Sequence, residues 1–166
     1  MKSPSEPSST PSSSACDPLK DWGTEVYGPS FALKHPLQIL IAEDNYINRR
    51  VYMMFMRHLG YHADCVENGF ECLNMALQGN YDLILTDVDM PEMNGIECTR
   101  ELRKSGVKAR IIAITGSSVE NPCEQCMKAG MDGLLPKPFP PNELRNILRE
   151  THAMKIEKVE AHLSAS

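Results

Sequence analysis

Apolar and polar positions alternate along this chain in two distinct ways. Short, mostly aliphatic runs are typical of strands that lie inside a parallel sheet. Between these runs, apolar residues recur every three or four positions, which is the spacing of one face of a helix. The runs predict five strands, over residues 37–42, 61–66, 81–87, 109–114 and 133–136. The run at 61–66 is rather polar, so we expect that strand to be less buried.

The segments between the strands predict helices. The first helix, over residues 46–59, is followed by Gly60, where a helix-ending glycine is expected. We expect its core-facing stripe to consist of Ile47, Val51, Met54, Phe55 and Leu59. Strands and helices alternate strictly, and right-handed crossovers bring such a chain into one sheet. The predicted fold class is therefore α/β, a doubly wound five-stranded parallel sheet with helices on both faces.

Polar side chains with complementary chemistry follow four of these strands. Glu43 and Asp44 follow the first strand, Asp87 ends the third, Thr115 follows the fourth and Lys137 follows the fifth. Because open α/β sheets place their chemistry at the carboxyl ends of the strands, we expect these side chains to meet. Three carboxylates, one hydroxyl and one ammonium group predict a magnesium and phosphoryl site.

The chemistry of such a site follows from its charges. Magnesium prefers oxygen ligands and is held in proteins by one or two carboxylates, with water and phosphate oxygens completing the octahedron. A carboxylate held beside the metal can attack phosphorus and form an acyl phosphate. The chain has no glycine-rich phosphate loop of the P-loop or Rossmann form. The phosphoryl group must therefore come from another protein or from a small phosphodonor.

Composition divides the 166 residues into three parts. Residues 1–36 open with a Ser/Pro-rich stretch that cannot build a core, so we expect a largely disordered tail. Residues 37–154 form the predicted domain, and residues 155–166 a short C-terminal tail. No output domain follows the last helix, so we expect a stand-alone protein that acts by docking or by relaying phosphate.

Charge and cysteine usage exclude several classes of function. A net charge of −5 without a dense Lys/Arg run argues against a nucleic-acid surface. No apolar run approaches the ~18 residues that cross a bilayer, and no secretory signal is visible, so we expect no membrane partner. Six cysteines without such a signal indicate reduced thiols. We expect a cytoplasmic protein, with the nucleus as the alternative location.

The pair Cys123 and Cys126 forms a C-x-x-C pattern, which suggests metal or redox chemistry where a second ligand pair exists. The sequence contains no matching pair. Positions 123, 126 and 127 also fit one stripe of the fourth predicted helix. We therefore expect these positions to lie in the core.

Four motifs, in order and at helix-sized intervals, resemble a known family. They read Glu43-Asp44-Asn45, Leu85-Thr86-Asp87-Val88-Asp89-Met90-Pro91-Glu92-Met93-Asn94-Gly95, Ile114-Thr115-Gly116 and Leu135-Pro136-Lys137-Pro138-Phe139. On these residues the chain resembles the receiver domain of two-component response regulators, a flavodoxin-like fold, over residues 37–152. The amino-acid sequences of these motifs are most similar to those of receivers in hybrid histidine kinases and phosphorelays.

The resemblance implies a role for each site residue. Asp87 corresponds to the phosphoacceptor, Thr115 to the switch hydroxyl and Lys137 to the lysine that contacts the phosphoryl group. The resemblance also implies that Glu43, Asp44 and Asp87 are Mg²⁺ ligands. The backbone carbonyl of Asp89 is implied as a further ligand. The bond from Lys137 to the next proline is expected to be cis. The implied partner is a histidine kinase or a histidine-phosphotransfer protein, and the implied function is phosphorelay signalling rather than turnover of a separate substrate.

The sequence departs from the family pattern at two positions. Leu134 stands where the family usually has Tyr, Phe or His, and Gly116 replaces the more frequent alanine. We therefore expect the response at Thr115 to be carried by the loop that follows it and by the fourth helix, rather than by an aromatic side chain. Two other functions stay open at this point: an aspartyl-phosphate phosphatase of the haloacid-dehalogenase type, suggested by Asp87-Val88-Asp89, and a receiver-like docking module that is never phosphorylated.

Overall fold

The computed structural model describes residues 30–116 and 122–166. Within these ranges the chain forms five strands and six helices. The strands are β1 (Ile39–Ala42), β2 (Asp64–Val66), β3 (Leu83–Asp87), β4 (Arg110–Thr115) and β5 (Gly133–Pro136). The helices are α1 (Ser30–Lys34), α2 (Tyr46–His58), α3 (Gly69–Gln78), α4 (Gly95–Lys104), α5 (Pro122–Ala129) and α6 (Pro141–Ser164).

All five strands are parallel and lie in the order β2-β1-β3-β4-β5. β3 is the central strand, and each of its residues is buried. One face of the sheet packs against α1, α2 and α6, and the other face packs against α3, α4 and α5. This arrangement confirms the predicted doubly wound α/β fold, in which a central strand must be apolar on both faces.

Asparagine side chains start three of the helices. Asn45 accepts hydrogen bonds from two backbone N–H groups at the start of α2, and Asn68 accepts one at the start of α3. Asn94 and Glu97 form a reciprocal capping box at the start of α4. These caps satisfy donors that the first helical turn leaves unpaired. They therefore fix where each helix leaves the edge of the sheet that carries the predicted site.

The buried face of α2 differs from the prediction. Ile47 is 68% exposed and Met54 is 41% exposed, whereas Tyr52 and Met56 are buried beside Phe55. The inward face is therefore rotated toward Tyr52, whose ring stacks on Phe139 with 5.4 Å between centroids. The predicted stripe was therefore wrong at Ile47 and Met54, because Tyr52 and Met56 fill the core in their place.

The two ends of the predicted domain carry additional helix. Part of the predicted N-terminal tail forms α1, where Phe31 is 5% exposed and His35 accepts a hydrogen bond through its carbonyl from the Tyr61 hydroxyl, at 2.6 Å. At the other end, α6 continues without a break through the predicted C-terminal tail to Ser164. The predictions for residues 1–29 lie outside the described residues. The domain boundaries themselves stay predictions.

Two smaller elements differ from the sequence prediction, one in length and one in its buried residues. Only residues 64–66 of the second predicted strand join the sheet, although Tyr61 and Ala63 are buried before it. In α5, Cys126 is buried, but Cys123 is exposed and Met127 is 52% exposed, so the prediction that all three lie in the core was wrong. The buried stripe of this short helix consists of Cys126 and Ala129 alone.

None of the described helices is both long and apolar enough to span a bilayer.

Candidate functional site

The register of the sheet brings the predicted side chains to one edge. Ala42 pairs with Thr86, so Glu43 lies beside Asp87 at the carboxyl ends of β1 and β3. Asp87 pairs with Ile114, and Thr115 pairs with Pro136, which places Lys137 just past the same edge. A parallel sheet with this register therefore collects the polar residues that follow its apolar strands.

Asp87 is held at both carboxylate oxygens. Lys137 Nζ donates to Asp87 Oδ2 at 2.6 Å, and the backbone N–H of Asp89 donates to Oδ1 at 2.9 Å. The residue is 4% exposed. Gly95 packs so closely under it that a β-carbon there would collide with the carbonyl oxygen of Asp87. The two hydrogen bonds thus fix the orientation of this carboxylate.

Two further carboxylates lie around Asp87. Glu43, Asp44 and Asp87 each offer an oxygen such that these atoms lie within 4.8 Å of one another. Glu43 is fully buried and receives a hydrogen bond from Lys137 Nζ at 2.9 Å, whereas Asp44 is exposed. Glu43 and Asp87 therefore share one ammonium group, and Asp44 adds a third carboxylate to the cluster. Like charges at this distance oppose one another, and the cluster is short of positive charge.

The pKa values of the buried groups reflect this imbalance. Burial raises the pKa of Glu43 above its ordinary value, and the neighbouring Asp87 charge adds to the rise, against the hydrogen bond from Lys137. Burial alone would lower the pKa of Lys137, but its hydrogen bonds to Asp87 and Glu43 outweigh burial and raise it. Lys137 therefore stays charged, while Glu43 carries its charge at a free-energy penalty that a nearby cation would relieve.

The loop that holds the acidic pair is fixed by Arg49, which sequence reasoning missed. Its Nη1 group donates to the carbonyl oxygens of Glu43 and Asp44, at 2.9 and 2.8 Å. Its Nη2 group pairs with Glu67 at 2.7 Å. No sequence signal identifies such a residue, because it binds backbone oxygens rather than partner side chains. Arg49 therefore anchors the loop without touching the carboxylates themselves.

Thr115 and Lys137 are joined through the backbone. The N–H of Lys137 donates to the carbonyl of Thr115 at 2.7 Å, and the Thr115 hydroxyl donates to the carbonyl of Gly116 at 3.0 Å. Thr115 is 3% exposed. The Lys137–Pro138 peptide bond is cis, which confirms that prediction. Leu134 is half-buried and packs into the core on the α3–α5 side of the sheet.

Tyr52 is a second neighbour of the site that the sequence did not reveal. Burial raises the pKa of Tyr52, and the charges of Lys137, Glu43 and Asp87 are near enough to act on its phenol. Its stacking partner, Phe139, lies two residues after Lys137. Both rings belong to the apolar cluster on this face of the sheet. Glu43 is fully buried and Lys137 mostly buried, which strengthens their interaction.

The donor set suits a small, hard divalent cation. Carboxylate oxygens from two neighbouring loops converge on one point, and one of them, on Asp44, faces solvent. Magnesium binds through one or two carboxylates and keeps several water molecules, which requires an open side. A positive ion at this point would also relieve the raised pKa of Glu43. The residues present therefore fit a magnesium ion.

Comparison with known proteins agrees with this geometry. The family model of the response regulator receiver domain matches residues 39–149. Two-component response regulator 24 of Arabidopsis thaliana is 36% identical over 69% of this chain and 83% of its own length. Other relatives include histidine kinases of Salmonella typhimurium and Candida albicans, and the chain matches 13% and 6% of their lengths.

Solved structures give the same result. The receiver domain of a sensor histidine kinase from Pseudomonas aeruginosa, determined with magnesium coordinated in its active-site cleft, has a TM-score of 0.66 at 36% identity, over 70% of this chain and 98% of that one. The receiver domain of yeast Ssk1, determined in complex with the histidine phosphotransfer protein Ypd1, has a TM-score of 0.66 at 27% identity, over 72% and 90%. This chain belongs to the response regulator receiver domain family, whose members act in phosphorelay signalling.

Proposed function

We propose that Asp87 accepts a phosphoryl group from a phosphohistidine, on a histidine kinase or a histidine-phosphotransfer protein, in a magnesium-dependent reaction. Phosphorylation of Asp87 then changes the affinity of the domain for a protein partner. The observation that carries this proposal is the position of Asp87, a buried carboxylate fixed at both oxygens within an acidic cluster. The chain thus acts on its own side chain rather than on a separate substrate.

The metal has a defined place in this proposal. Glu43, Asp44 and Asp87 would supply its carboxylate oxygens, and the backbone carbonyl of Asp89 a further one. When bound, the ion neutralises phosphoryl oxygens that the acidic cluster would otherwise repel. Support comes from the receiver domain of the Pseudomonas aeruginosa kinase, which holds magnesium in its active-site cleft.

The residues of the chain position and stabilise the transferred group. An oxygen of Asp87 forms a bond to phosphorus while the bond from phosphorus to the donor imidazole breaks, and the imidazole keeps the electron pair and takes a proton. Lys137, already 2.6 Å from Asp87, would bind one phosphoryl oxygen, and Thr115 another. Catalysis of such a transfer consists mostly of positioning and charge stabilisation. We place this reaction in the cytoplasm or the nucleus.

A surface beside the site suits the phosphodonor protein. Tyr46 and Ile47, the first residues of α2, are 59% and 68% exposed and directly follow the acidic loop. Arg50, one turn further along, is exposed and bonded to the Tyr46 hydroxyl at 2.9 Å. Apolar side chains exposed at the rim of a charged cleft are typical of a protein interface. The yeast relative, solved with its phosphotransfer protein, supports a partner of this class.

Two variants test the acceptor. Purified protein is incubated with Mg²⁺ and phosphoramidate or acetyl phosphate, and the modified peptide is identified by mass spectrometry. Wild type should gain one phosphoryl group at Asp87, and Asp87→Asn should gain none. Asp82→Asn is the matched control, because Asp82 lies at the other end of the same strand, bonded to Lys155 at 2.9 Å. It should be labelled as wild type is.

The same experiment separates the alternatives. A docking module that is never phosphorylated would leave wild type unlabelled under every donor and metal condition. Equal labelling of wild type and Asp87→Asn at another residue would refute the acceptor assignment. The haloacid-dehalogenase alternative is not favoured by the comparisons, since the whole domain matches the receiver family.

A further inference from the structure

The C-terminal half of α6 carries an apolar face that nothing in the described residues covers. Thr151 is the last buried residue of this helix, and every residue from 156 to 166 is exposed. Three of these are large aliphatic residues, with Ile156 42% exposed, Val159 52% and Leu163 68%. We call residues 152–166 the α6 extension. Aliphatic side chains on an exposed helix favour a partner that removes them from water.

The spacing of these residues identifies the kind of partner. His152, Ile156, Val159 and Leu163 follow one another at intervals of four, three and four. This is the spacing of the seam in a coiled coil, in which two helices pack along a shared apolar stripe. His152 is already covered, since its ring lies 5.3 Å from that of His35. The free part of the seam therefore begins at Ile156.

Charges beside the seam fit a second copy of the same helix. If Ile156 and Leu163 occupy the a positions and Val159 the d position, Lys155 is at g and Glu160 is at e. In a parallel pair, each g residue faces the e residue five positions later on the partner helix. Lys155 of each chain would therefore meet Glu160 of the other, twice by symmetry. In an antiparallel pair, g positions face g positions and e positions face e positions. Lys155 would then face His162, and Glu160 would face Ala153, so no pair of opposite charges would form.

The lysine can accept this second carboxylate. Lys155 already binds Asp82 at 2.9 Å and approaches the carbonyl of Pro36 at 3.4 Å, but its side chain is 40% exposed. An ammonium group has three donors, so a third partner can be satisfied. Glu160 is exposed on the other side of the seam.

We propose that two copies of this chain associate through their α6 extensions as a short parallel coiled coil. The contact is independent of phosphoryl transfer at Asp87, because the extension lies at the opposite end of the sheet, beside Asp82. With three free apolar positions per chain, the association is weak and concentration-dependent.

Sedimentation equilibrium of the full chain over rising concentration tests the seam. Wild type should move from the mass of one chain toward that of two, and Ile156→Asp should stay at one. Met154→Asp is the matched control: Met154 is also 42% exposed on the extension but lies on the opposite face. It should associate as wild type does. A wild type that stays at one chain throughout, or a control that fails as Ile156→Asp does, overturns the proposal.

Charge reversal tests the orientation and register. Lys155→Glu places two carboxylates at each g–e contact, and Glu160→Lys places two ammonium groups there, so each variant alone should associate less than wild type. An equimolar mixture should recover association, because each contact then joins opposite charges. Lys155→Glu also breaks the ion pair with Asp82 within its own chain. That loss cannot explain why association would recover when the two variants are mixed. Absence of recovery refutes the parallel register.

A different occupant would also be visible. Trp22 is the single tryptophan of the chain, in the segment before α1. If that segment covered the extension in the same molecule, Ile156→Asp would shift Trp22 emission at concentrations where the chain is monomeric. We expect no shift under those conditions, and a shift would contradict the second copy as occupant.

Discussion

Two aspartates at opposite ends of β3 show what distinguishes a reactive carboxylate from a structural one. Asp82 precedes the strand and Asp87 ends it, and each is bonded to a lysine and to one backbone N–H group. Around Asp82 both partners bind Oδ2, and one ammonium group balances one carboxylate. Around Asp87 the single lysine is shared with Glu43, and Asp44 adds a third negative charge.

Excess negative charge, rather than burial or a lysine partner, therefore marks the site. A balanced pair such as Asp82 and Lys155 fastens α6 to the sheet and needs nothing further. An unbalanced cluster stays folded only because Arg49, the Asp89 N–H group and the core around β3 hold it in place. The net negative charge of such a cluster attracts a cation, and the bound cation can attract a phosphoryl group.

The largest expected effect comes from removing one metal ligand. Asp44→Ala should weaken magnesium binding and slow phosphorylation of Asp87 by orders of magnitude, because the cluster loses a hard oxygen ligand. Without magnesium, the same change should raise the melting temperature, since like charges are relieved. Isothermal titration and thermal unfolding measure the two effects.

Asp82→Asn is the control for this prediction. It removes a carboxylate that binds the Gln38 N–H at 2.7 Å, so it should lower the melting temperature and leave magnesium affinity unchanged. Unchanged magnesium affinity in Asp44→Ala would show that this residue is not a ligand.

The two lysines provide the next contrast. Lys137→Ala leaves Glu43 and Asp87 without their shared partner, and breaking a buried ion pair in this way destabilises a protein by about 3 kcal/mol. Lys155→Ala breaks a partly exposed pair and should cost less than about 1 kcal/mol. Urea unfolding in magnesium-free buffer compares the two. Equal losses would indicate that Lys137 is solvated in the folded protein.

Lys137→Ala should also separate phosphorylation from its consequence. We expect the variant to accept some phosphoryl group from acetyl phosphate, because Asp87 and the metal ligands remain. It should fail to change partner binding, because the ammonium group that contacts the phosphoryl oxygen is absent. Phosphorylation followed by mass spectrometry, with a binding assay on the same sample, measures both properties.

A smaller effect should appear in the pH dependence of stability. Burial raises the pKa of Glu43 in the magnesium-free protein above the ordinary value of 4.5. A raised pKa in the folded state gives stability that is fully present below pH 4.5 and is lost as pH rises through the folded pKa. The raised pKa of Lys137 acts only at alkaline pH, above this window.

As pH rises from about 4 to 7, the free energy of unfolding of Glu43→Gln should therefore fall less than that of wild type. Urea unfolding at steps of pH measures the slope, with Asp82→Asn as the control that removes a carboxylate elsewhere. Magnesium should flatten the wild-type slope by binding the charged form. Identical slopes for wild type and Glu43→Gln, without magnesium, would contradict the assigned direction.

The fold and the charged groups of the site could be predicted because both follow from strand patterns. An apolar run fixes a buried strand, and in a parallel sheet its end fixes where the next polar residue lies. This reasoning brought Glu43, Asp87 and Lys137 together from three separate parts of the chain. The roles proposed for them still depend on the experiments above.

Other features could not be predicted because they depend on tertiary contacts. The inward face of α2 is set by Tyr52 packing on Phe139, residues far apart in the sequence. The role of Arg49 depends on backbone carbonyls, which leave no pattern among side chains. The length of α6 did have a signal, since no glycine or proline interrupts residues 142–166, but the predicted domain ended at residue 154 and the rest was assigned to a tail.

The smallest effect, and the hardest to measure, concerns the switch at the fourth and fifth strands. In the usual receiver pattern an aromatic side chain follows the switch hydroxyl inward, but this chain has Leu134, which pairs with Ala113 and is half-buried. We expect the response to be carried by the backbone after Thr115, where Gly116 supplies freedom, and by α5; residues 117–121 lie outside the described residues.

Beryllofluoride, a phosphoryl mimic, tests this idea through amide chemical shifts of residues 116–148. A ligand shifts a two-state equilibrium only through its differential affinity, so the mimic must bind one state more tightly. Thr115→Ala should still bind beryllofluoride but lose the shifts, because the hydroxyl that contacts the mimic is absent. Leu134→Ala should keep most of them, since its side chain has no polar group to follow the hydroxyl. If Leu134→Ala abolished the shifts as completely as Thr115→Ala, the side chain at 134 would be an obligatory relay, and the backbone mechanism would be wrong.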